Sequence, residues 1–525
     1  MRRRDFLIGS AMAAGSLAAP AVSRAQGSKV LKFVPQADLA VLDPIWTTAY
    51  VTRNHAALVF DTLYGQDSSF RTSPQMVEGH AVEYNDLQWT LTLREGLKFH
   101  DGTPVLARDC VASIQRWGKR DSMGALLMAA CDEISAPSDR KIVFRLMRPF
   151  PQLPDVLGKA TNNLAVIMPE RLASTDAFKQ VTEMVGSGPF RFKTDERQPG
   201  ALVVYEKFAG YSPSPAGKAD WMAGPKVVHI DRVEWHTITD SSTASSALQT
   251  GGIDWWELPI PDLLPILRQD KNLKIEIQDP AGYIGIMRMN QLHAPFDNPA
   301  IRRAVLRAVS QADFMQAAVG DDKSMWKDGV GFFCPGTPMA SDAGMPAPLT
   351  IEQARKAIVD AGYKGEKIVM LGATDIPILS AVAEVGRDLL VKLGFNVDYQ
   401  ATDWGTVVQR RAKRDSVDAG GWSVIDNFTG GLDQLNPMTH TMLWSNGSAA
   451  APGWPTSTKL EELRASWLSA PDEASRKKAA QAIQMQAFED VPYIPLGQYL
   501  YATAYKQNIS GVGKGFPVFW GIEKA

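Results

Sequence analysis

Between Tyr283 and Lys413 the chain alternates strand and helix patterns with short connections, and this order restricts its fold more than any other feature. Tyr283-Ile284-Gly285-Ile286-Met287-Arg288-Met289-Asn290 reads as a strand. Asp297-Asn298-Pro299 starts a helix with Pro in its first turn, and Ile301, Val305 and Val309 recur every four residues along it. Ser310-x-x-Asp313 has the pattern of a capping box with Asp in the acidic position, which opens a second helix. Helix 351–361 stops before Gly362, and 368–371 is a strand. Helix 376–392 closes at Leu393-Gly394, and strand 396–400 and helix 404–413 follow. Such β-α-β-α order implies a parallel or mixed sheet clothed by helices, with ligands gathering at the carboxyl ends of its strands.

Two earlier stretches have patterns of their own. Gln88–Arg94 alternates apolar and polar residues, Glu95-Gly96 turns, and Leu97 and Phe99 resume the alternation as a second strand. Asp101-Gly102-Thr103-Pro104 closes a tight turn before a helix carrying Cys110, Val111, Ile114 and Trp117 at helical spacing, with Asp109 near its positive end. Further on, Gly186-Ser187-Gly188-Pro189 is a loop, and Phe190, Phe192 and Leu202–Tyr205 read as paired strands. Val227–Trp235 adds a strand, and Ser241–Leu248 a helix ended by Gly251-Gly252. Strands and helices alternate here too, so the fold class is α/β.

A formal charge of −2 argues against nucleic acid, whose phosphates need a concentrated basic surface. Fourteen Trp and twelve Tyr suit both a core and a pocket that stacks on small ligands. The three cysteines, Cys110, Cys131 and Cys334, lack the spacing of a zinc site. A Cys110–Cys131 bridge and a buried free thiol at Cys110 are both compatible with the pattern. Catalytic constellations are missing: there is no H-E-x-x-H and no G-x-S-x-G. Ser475-Arg476-Lys477-Lys478 meets S-x-x-K on a charged helical face and reads as solvated surface. Neither an enzyme, a periplasmic hydrolase being the natural rival, nor a cofactor is expected.

The first residues set the compartment. Met1-Arg2-Arg3-Arg4-Asp5 puts a basic cluster before the apolar run Phe6–Val22, and Ser23-Arg24-Ala25 ends in small residues at the positions a signal peptidase reads. Arg3-Arg4-x-Phe6-Leu7 resembles a twin-arginine signal. Residues 1–25 are therefore expected to be a cleaved export signal, and with no Cys after the apolar run the periplasmic form is not lipid-anchored.

The block Leu93-Arg94-Glu95-Gly96-Leu97-Lys98-Phe99-His100-Asp101-Gly102-Thr103-Pro104 closely resembles the signature of family 5 bacterial extracellular solute-binding proteins, the dipeptide-, oligopeptide- and nickel-binding components of ABC importers. Leu42-Asp43-Pro44, Gly186–Phe190, Asn290 with Pro295-Phe296-Asp297, Ile301–Ala304, Gly420-Gly421-Trp422 and Val491–Leu496 match in order over essentially the whole mature chain. The resemblance implies a periplasmic-binding-protein-like two-lobe α/β fold (type II, cluster C-like) with a third domain inserted in lobe one. Lobe one would span 26–57, 178–280 and 490–525, the insertion 58–177, and lobe two 281–489. Hinge crossings are expected near Asp279-Pro280-Ala281-Gly282 and near Asp490-Val491-Pro492.

The function the resemblance implies is capture of a small organic solute, foremost a short peptide, between the lobes. Delivery to an inner-membrane ABC permease with its ATPase subunits would follow, from a monomer. Nickel-, haem- or other non-peptide-solute-binding members of the same family are the alternative. By position in the family, Trp422 would be a stacking wall and Asp426 a polar contact, although Asp426 is about one residue out of the dipeptide spacing. Asn427 is a further candidate, whereas Asp433 reads as a solvated turn residue. From the other lobe Trp46 and Tyr50 would face the cleft, with Tyr283, Trp404 and Tyr499 at strand-end or helix-start positions.

Overall fold

Residues 29–525 are described by a computed structural model, and the export signal read over residues 1–25 lies outside them. Val30–Val34, with Leu31 and Phe33 fully buried, is the central strand of a seven-stranded mixed sheet. It runs parallel to Arg232–His236 on one side and to Trp255–Trp256 on the other. Phe190–Phe192, Leu202–Lys207, Ala502–Lys506 and Leu273–Ile277 extend the sheet through antiparallel pairs. Aromatic rings fill its core: Phe33 lies 4.9 Å from Trp255 and 5.1 Å from Phe519. Each such buried ring contributes about 1.5–3 kcal/mol through apolar burial. This sheet is the base of the first lobe.

The second lobe is built on a six-stranded sheet, in spatial order Trp326–Lys327, Ile494–Tyr499, Tyr283–Met289, Val424–Gly430, Lys367–Ala373, Asn396–Thr402. Lys367–Ala373 is parallel to both neighbours, while Tyr283–Met289 is antiparallel to both of its own. Its helices follow the sequence pattern closely: Pro299–Ala308 capped by Asn298, Ile351–Asp360 capped by Thr350, and Pro377–Lys392. A four-stranded antiparallel sheet, Val77–Glu83, Gln88–Leu93, Lys141–Leu146 and Cys131–Ser138, with the helix Ala107–Gly118, forms the inserted region.

Three expectations need correction. Leu97–Phe99 is not a second strand: the segment folds back on itself, Phe99 N donating to Thr103 O and Val105 N to Leu97 O, so only a Lys98–Pro104 bridge forms. The strand foreseen over Val227–Trp235 begins only at Arg232. Before it, Lys226 Nζ is drawn to Asp61 at 2.8 Å and Val227 O accepts from Gly521 N, which takes that stretch out of the ladder. Finally, the second crossing does not lie near Asp490-Val491-Pro492. Ile494–Tyr499 pairs with Tyr283–Met289, so the chain stays in the second sheet until Tyr499 and enters the first at Ala502. The first crossing spans 278–282, between Ile277 and Tyr283. Cys110, Cys131 and Cys334 are all free thiols, Cys110 buried on its helix.

Buried ion pairs bind the inserted region to the first lobe. Asp43 of Leu42-Asp43-Pro44 accepts from Arg116 Nη2 at 2.6 Å, and from the backbone N–H groups of Ile45 and Val181 at 2.9 and 2.8 Å. Both side chains are at most 2% exposed. Removing one partner of such a pair strands the other charge in a low-dielectric interior, typically at a loss of ~3–5 kcal/mol. Arg116→Met is therefore expected to lower unfolding stability by about that amount, measured by denaturant titration; a loss below ~1 kcal/mol would show that the pair is dispensable.

Candidate ligand-binding cleft

The two crossings run side by side because the strands they serve are neighbours. Tyr283, the first residue of its strand, is the register partner of Tyr499, the last of its own. Their rings stack at 5.5 Å and 15°, and Tyr501 stands edge-on to both at 5.3 and 5.1 Å. Gly282 has φ +50°, and a Cβ there would come within 2.4 Å of Tyr499 O. Only glycine lets the two chains pass this closely.

The first lobe reaches this point through the helix Tyr50–Val59. The Tyr50 ring meets Tyr283 at 6.1 Å, and its hydroxyl donates to Asp433 Oδ2 at 2.5 Å while accepting from Gly430 N at 3.2 Å. Asp433 and Gly430 belong to the second lobe, at and just past the carboxyl end of Val424–Gly430. A Cβ at Gly430 would sit 2.4 Å from the Tyr50 hydroxyl, so the glycine makes room for the contact. One turn along the helix, the Arg53 guanidinium lies over the Tyr50 ring at 4.8 Å and the Phe516 ring at 4.1 Å. Burial pushes the Asp433 carboxyl upward, and the Tyr50 hydrogen bond and the Arg53 charge oppose that rise. The Tyr50 hydroxyl is raised by burial and then by Asp433.

Beside this contact is a cavity of about 350 Å3 that draws on three parts of the chain. Thr48 comes from the first lobe, Arg120, Asp121 and Lys159 from the inserted region, and Thr429 and Asp433 from the second lobe. Asp121 caps the helix Ser122–Met128 and is ion-paired with Lys159, both buried. Asn163 holds the first-lobe wall, its Nδ2 donating to the carbonyls of Pro44, Ile45 and Thr47 at 2.8, 3.2 and 2.8 Å. Together these groups offer a carboxylate for a cation and polar donors for carbonyl or carboxylate oxygens.

Of the residues singled out from sequence, the fold brings Tyr50, Tyr283 and Tyr499 together. Trp46 is half-buried beside them in chain order, its carbonyl accepting from Arg120 Nη2 at 2.7 Å. Asn427 is half-buried and, by strand alternation, shares the face of Thr429. Trp422 is not a cleft wall. It is 1% exposed, packs in a separate core with Val369, Leu371 and Trp454, and donates its indole N–H to Arg411 O at 3.0 Å. It precedes the strand of which Asp433 follows the end. Trp404 packs against that same remote core, with Arg411 over its ring at 5.4 Å.

Asp426 is also displaced. It is 4% exposed and lies beneath the helix Pro377–Lys392, where a Cβ on Gly386 would meet its Oδ2 at 2.1 Å. Neither oxygen has a hydrogen-bond partner among the described residues, and burial raises this carboxyl well above its ordinary range. The carboxylate at the cleft is Asp433, half-buried rather than a solvated turn residue. The strand-end rule was the available signal, since Asp433 stands just beyond Gly430. Arg120, Asp121 and Lys159 had none: the first two lie in the turn before Ser122–Met128, and Lys159 follows Leu153–Leu157, remote in sequence.

Known proteins resemble this chain in sequence and in fold. The model of the family described as "Bacterial extracellular solute-binding proteins, family 5 Middle" matches residues 71–446. A probable peptide ABC transporter periplasmic-binding protein of Sinorhizobium fredii, y4tO, is 38% identical, covering 100% of this chain and 99% of its own length. The glutathione-binding protein GsiB of Salmonella typhi is 25% identical, covering 90% of each. Among solved structures, the ABC transporter-associated periplasmic binding protein DppA of Helicobacter pylori, in complex with the peptide STSA, has the same fold, with a TM-score of 0.76 at 20% identity over 94% of this chain and 98% of that one.

The crossings also wall a smaller cavity of about 50 Å3, lined by Arg53, Glu257, Gln278, Asp279, Tyr283 and Tyr501 among others. Burial foremost pushes the Glu257 carboxyl up to about 7 from its ordinary 4.5, against hydrogen bonds from Gln36 and Asn54. Folded Glu257 thus holds its proton more tightly than the unfolded chain does. Its stabilising contribution is complete below about pH 4.5 and is lost as pH rises through about 7. Thermal scans should show the unfolding midpoint falling between these pH values more steeply than in Glu257→Gln. Parallel curves would count against it.

Proposed function

We propose that this chain, which belongs to family 5 of the bacterial extracellular solute-binding proteins, is the peptide-capturing component of an ABC importer. The observation that carries the reading is the Tyr50–Asp433 hydrogen bond, which joins the lobes at the edge of a polar cavity open to both. A peptide's α-ammonium group takes Asp433, replacing the neutral partner with a charge-assisted one. Its carbonyls and carboxylate meet donors of the inserted region and the first-lobe loop. Because the ligand touches both lobes only when they are together, it favours the closed form by its differential affinity for that form. The peptide class is supported by the Sinorhizobium relative, a probable peptide ABC transporter periplasmic-binding protein, and by the peptide held in the Helicobacter structure. The family is one of binding proteins, and no chemistry is assigned to the chain.

The loaded protein then presents its closed lobes to a membrane permease whose ATPase subunits drive uptake. The reading includes export on the twin-arginine-like signal of residues 1–25, cleavage near Ala25, and a free monomer in the periplasm. In the cleft, Tyr50, Tyr283, Tyr499, Trp46 and Asn427 are proposed as wall residues around Asp433.

Native mass spectrometry of freshly purified protein is expected to find retained peptide; a non-peptidic mass would overturn the class. Asp433→Asn should keep the Tyr50 contact and weaken peptide binding ~10–100-fold, the worth of one charge-assisted hydrogen bond. Affinity of the unmodified protein should also fall on acidification through the raised Asp433 pKa, because protonation removes the charge that holds the ammonium. Calorimetric titration against pH checks both.

A further inference from the structure

The cavity beside Asp433 does not end at Lys159. Lys159, Thr161 and Thr439 also line a second compartment, about 330 Å3 between the inserted region and the second lobe. Its walls differ in kind. Phe70 and Met123 come from the inserted region, and Met339, Met438 and Trp467 from the second lobe. Methionine is unbranched and polarizable, so three of them facing two rings form a surface that adapts to apolar groups of varied shape.

Charge does not select there. Arg71, Asp155, Glu473 and Arg476 border the compartment and cancel formally, and Lys159, the remaining charged lining residue, is held by Asp121. Arg476 acts on Asp155, and Arg71 on Glu473, across the two walls. A charged side chain entering this space would lose hydration, while Arg71, Glu473 and Lys159 are already paired with Asp67, Lys477 and Asp121.

Two buried polar groups in the same compartment lack partners among the described residues. Trp467 is 3% exposed with no acceptor for its indole N–H, and Thr161 is 2% exposed with no partner for its hydroxyl. Leaving a buried donor unmade is unfavourable, and an entering carbonyl would relieve it. Thr161 borders both compartments, so a chain leading from Asp433 toward Trp467 passes it.

We infer that the second compartment is a subsite for apolar side chains. The ligand is a peptide longer than two residues that places a Met-like or aromatic side chain there, its backbone carbonyls accepting from Trp467 Nε1 and Thr161 Oγ1. This inference rests on the peptide reading above and narrows it.

The test is calorimetric titration of the intact protein, stripped of bound material, with Ala-Ala-Ala, Ala-Met-Ala, Ala-Ala-Met, Ala-Glu-Ala and Ala-Ala-Glu. One Met peptide should bind about tenfold or more tighter than Ala-Ala-Ala and than its Glu counterpart, as burial of one such side chain predicts. Trp467→Phe, which keeps a ring and removes the donor, should weaken all the tripeptides about five- to tenfold and preserve the Met-over-Glu order. Equal affinities across the series would overturn the subsite and leave the peptide reading standing. Unchanged affinity in Trp467→Phe would overturn the carbonyl contact. Failure of the folded protein to bind any of the five would overturn the peptide reading, and the subsite with it.

Discussion

Everything in this molecule that concerns binding follows from the pairing of Tyr283 with Tyr499. Because these residues are neighbours in one ladder, the two chain crossings between the sheets are neighbours as well. The first crossing is tied to the second sheet on both sides. Gln498 Nε2 donates to the carbonyls of Pro280 and Ala281 at 3.2 and 2.8 Å, and Gly431 N donates to Gly282 O at 2.7 Å. Any relative movement of the lobes would therefore be taken up before Pro280 and around Tyr501, since Leu500 N still donates to Met325 O of the second lobe. Two adjacent, short connections permit rotation about one line and resist the rest.

Carboxylates divide according to this geometry. Asp43, Asp61 and Asp121 are buried and each meets a cationic side chain, Arg116, Lys226 and Lys159 respectively. The first two tie the inserted region to the first lobe, and the third braces the inserted region itself. Asp433, Glu257 and Asp279, which lie at the crossings and the cleft, have no such ion pair, and burial raises all three. A charge paired within the protein is committed to structure, whereas one left without a cation is available to a ligand or to a proton. Asp426 breaks the rule: it is unpaired, yet it lies beneath a helix that has glycine facing it.

The elements were legible because each is written in local pattern. Pro299 after the cap Asn298, Gly251 behind its helix, and the alternation of Gln88–Leu93 all formed what their periodicity implied. Local pattern failed where a distant residue competed, as Asp61 does for Lys226, and where a loop could satisfy its own backbone, as at Leu97–Phe99. The cleft was legible only in part. Tyr50, Tyr283 and Tyr499 stood at element ends, which is where a binding surface forms. Trp422 stood before that strand, in a separate core, and Asp426 on the strand's helix-covered face.

The amino-acid sequence by itself determined the α/β class, the order of strands and helices, and the family. These depend on periodicity, caps and turns acting over a few residues. Tertiary structure alone decided which carboxylate faces the cleft, where the second crossing lies, and that Met123, Met339 and Met438 share one wall-lined space. Those outcomes depend on which face of a strand is covered and on contacts between residues hundreds of positions apart, such as Tyr50 with Asp433, and no local pattern encodes them.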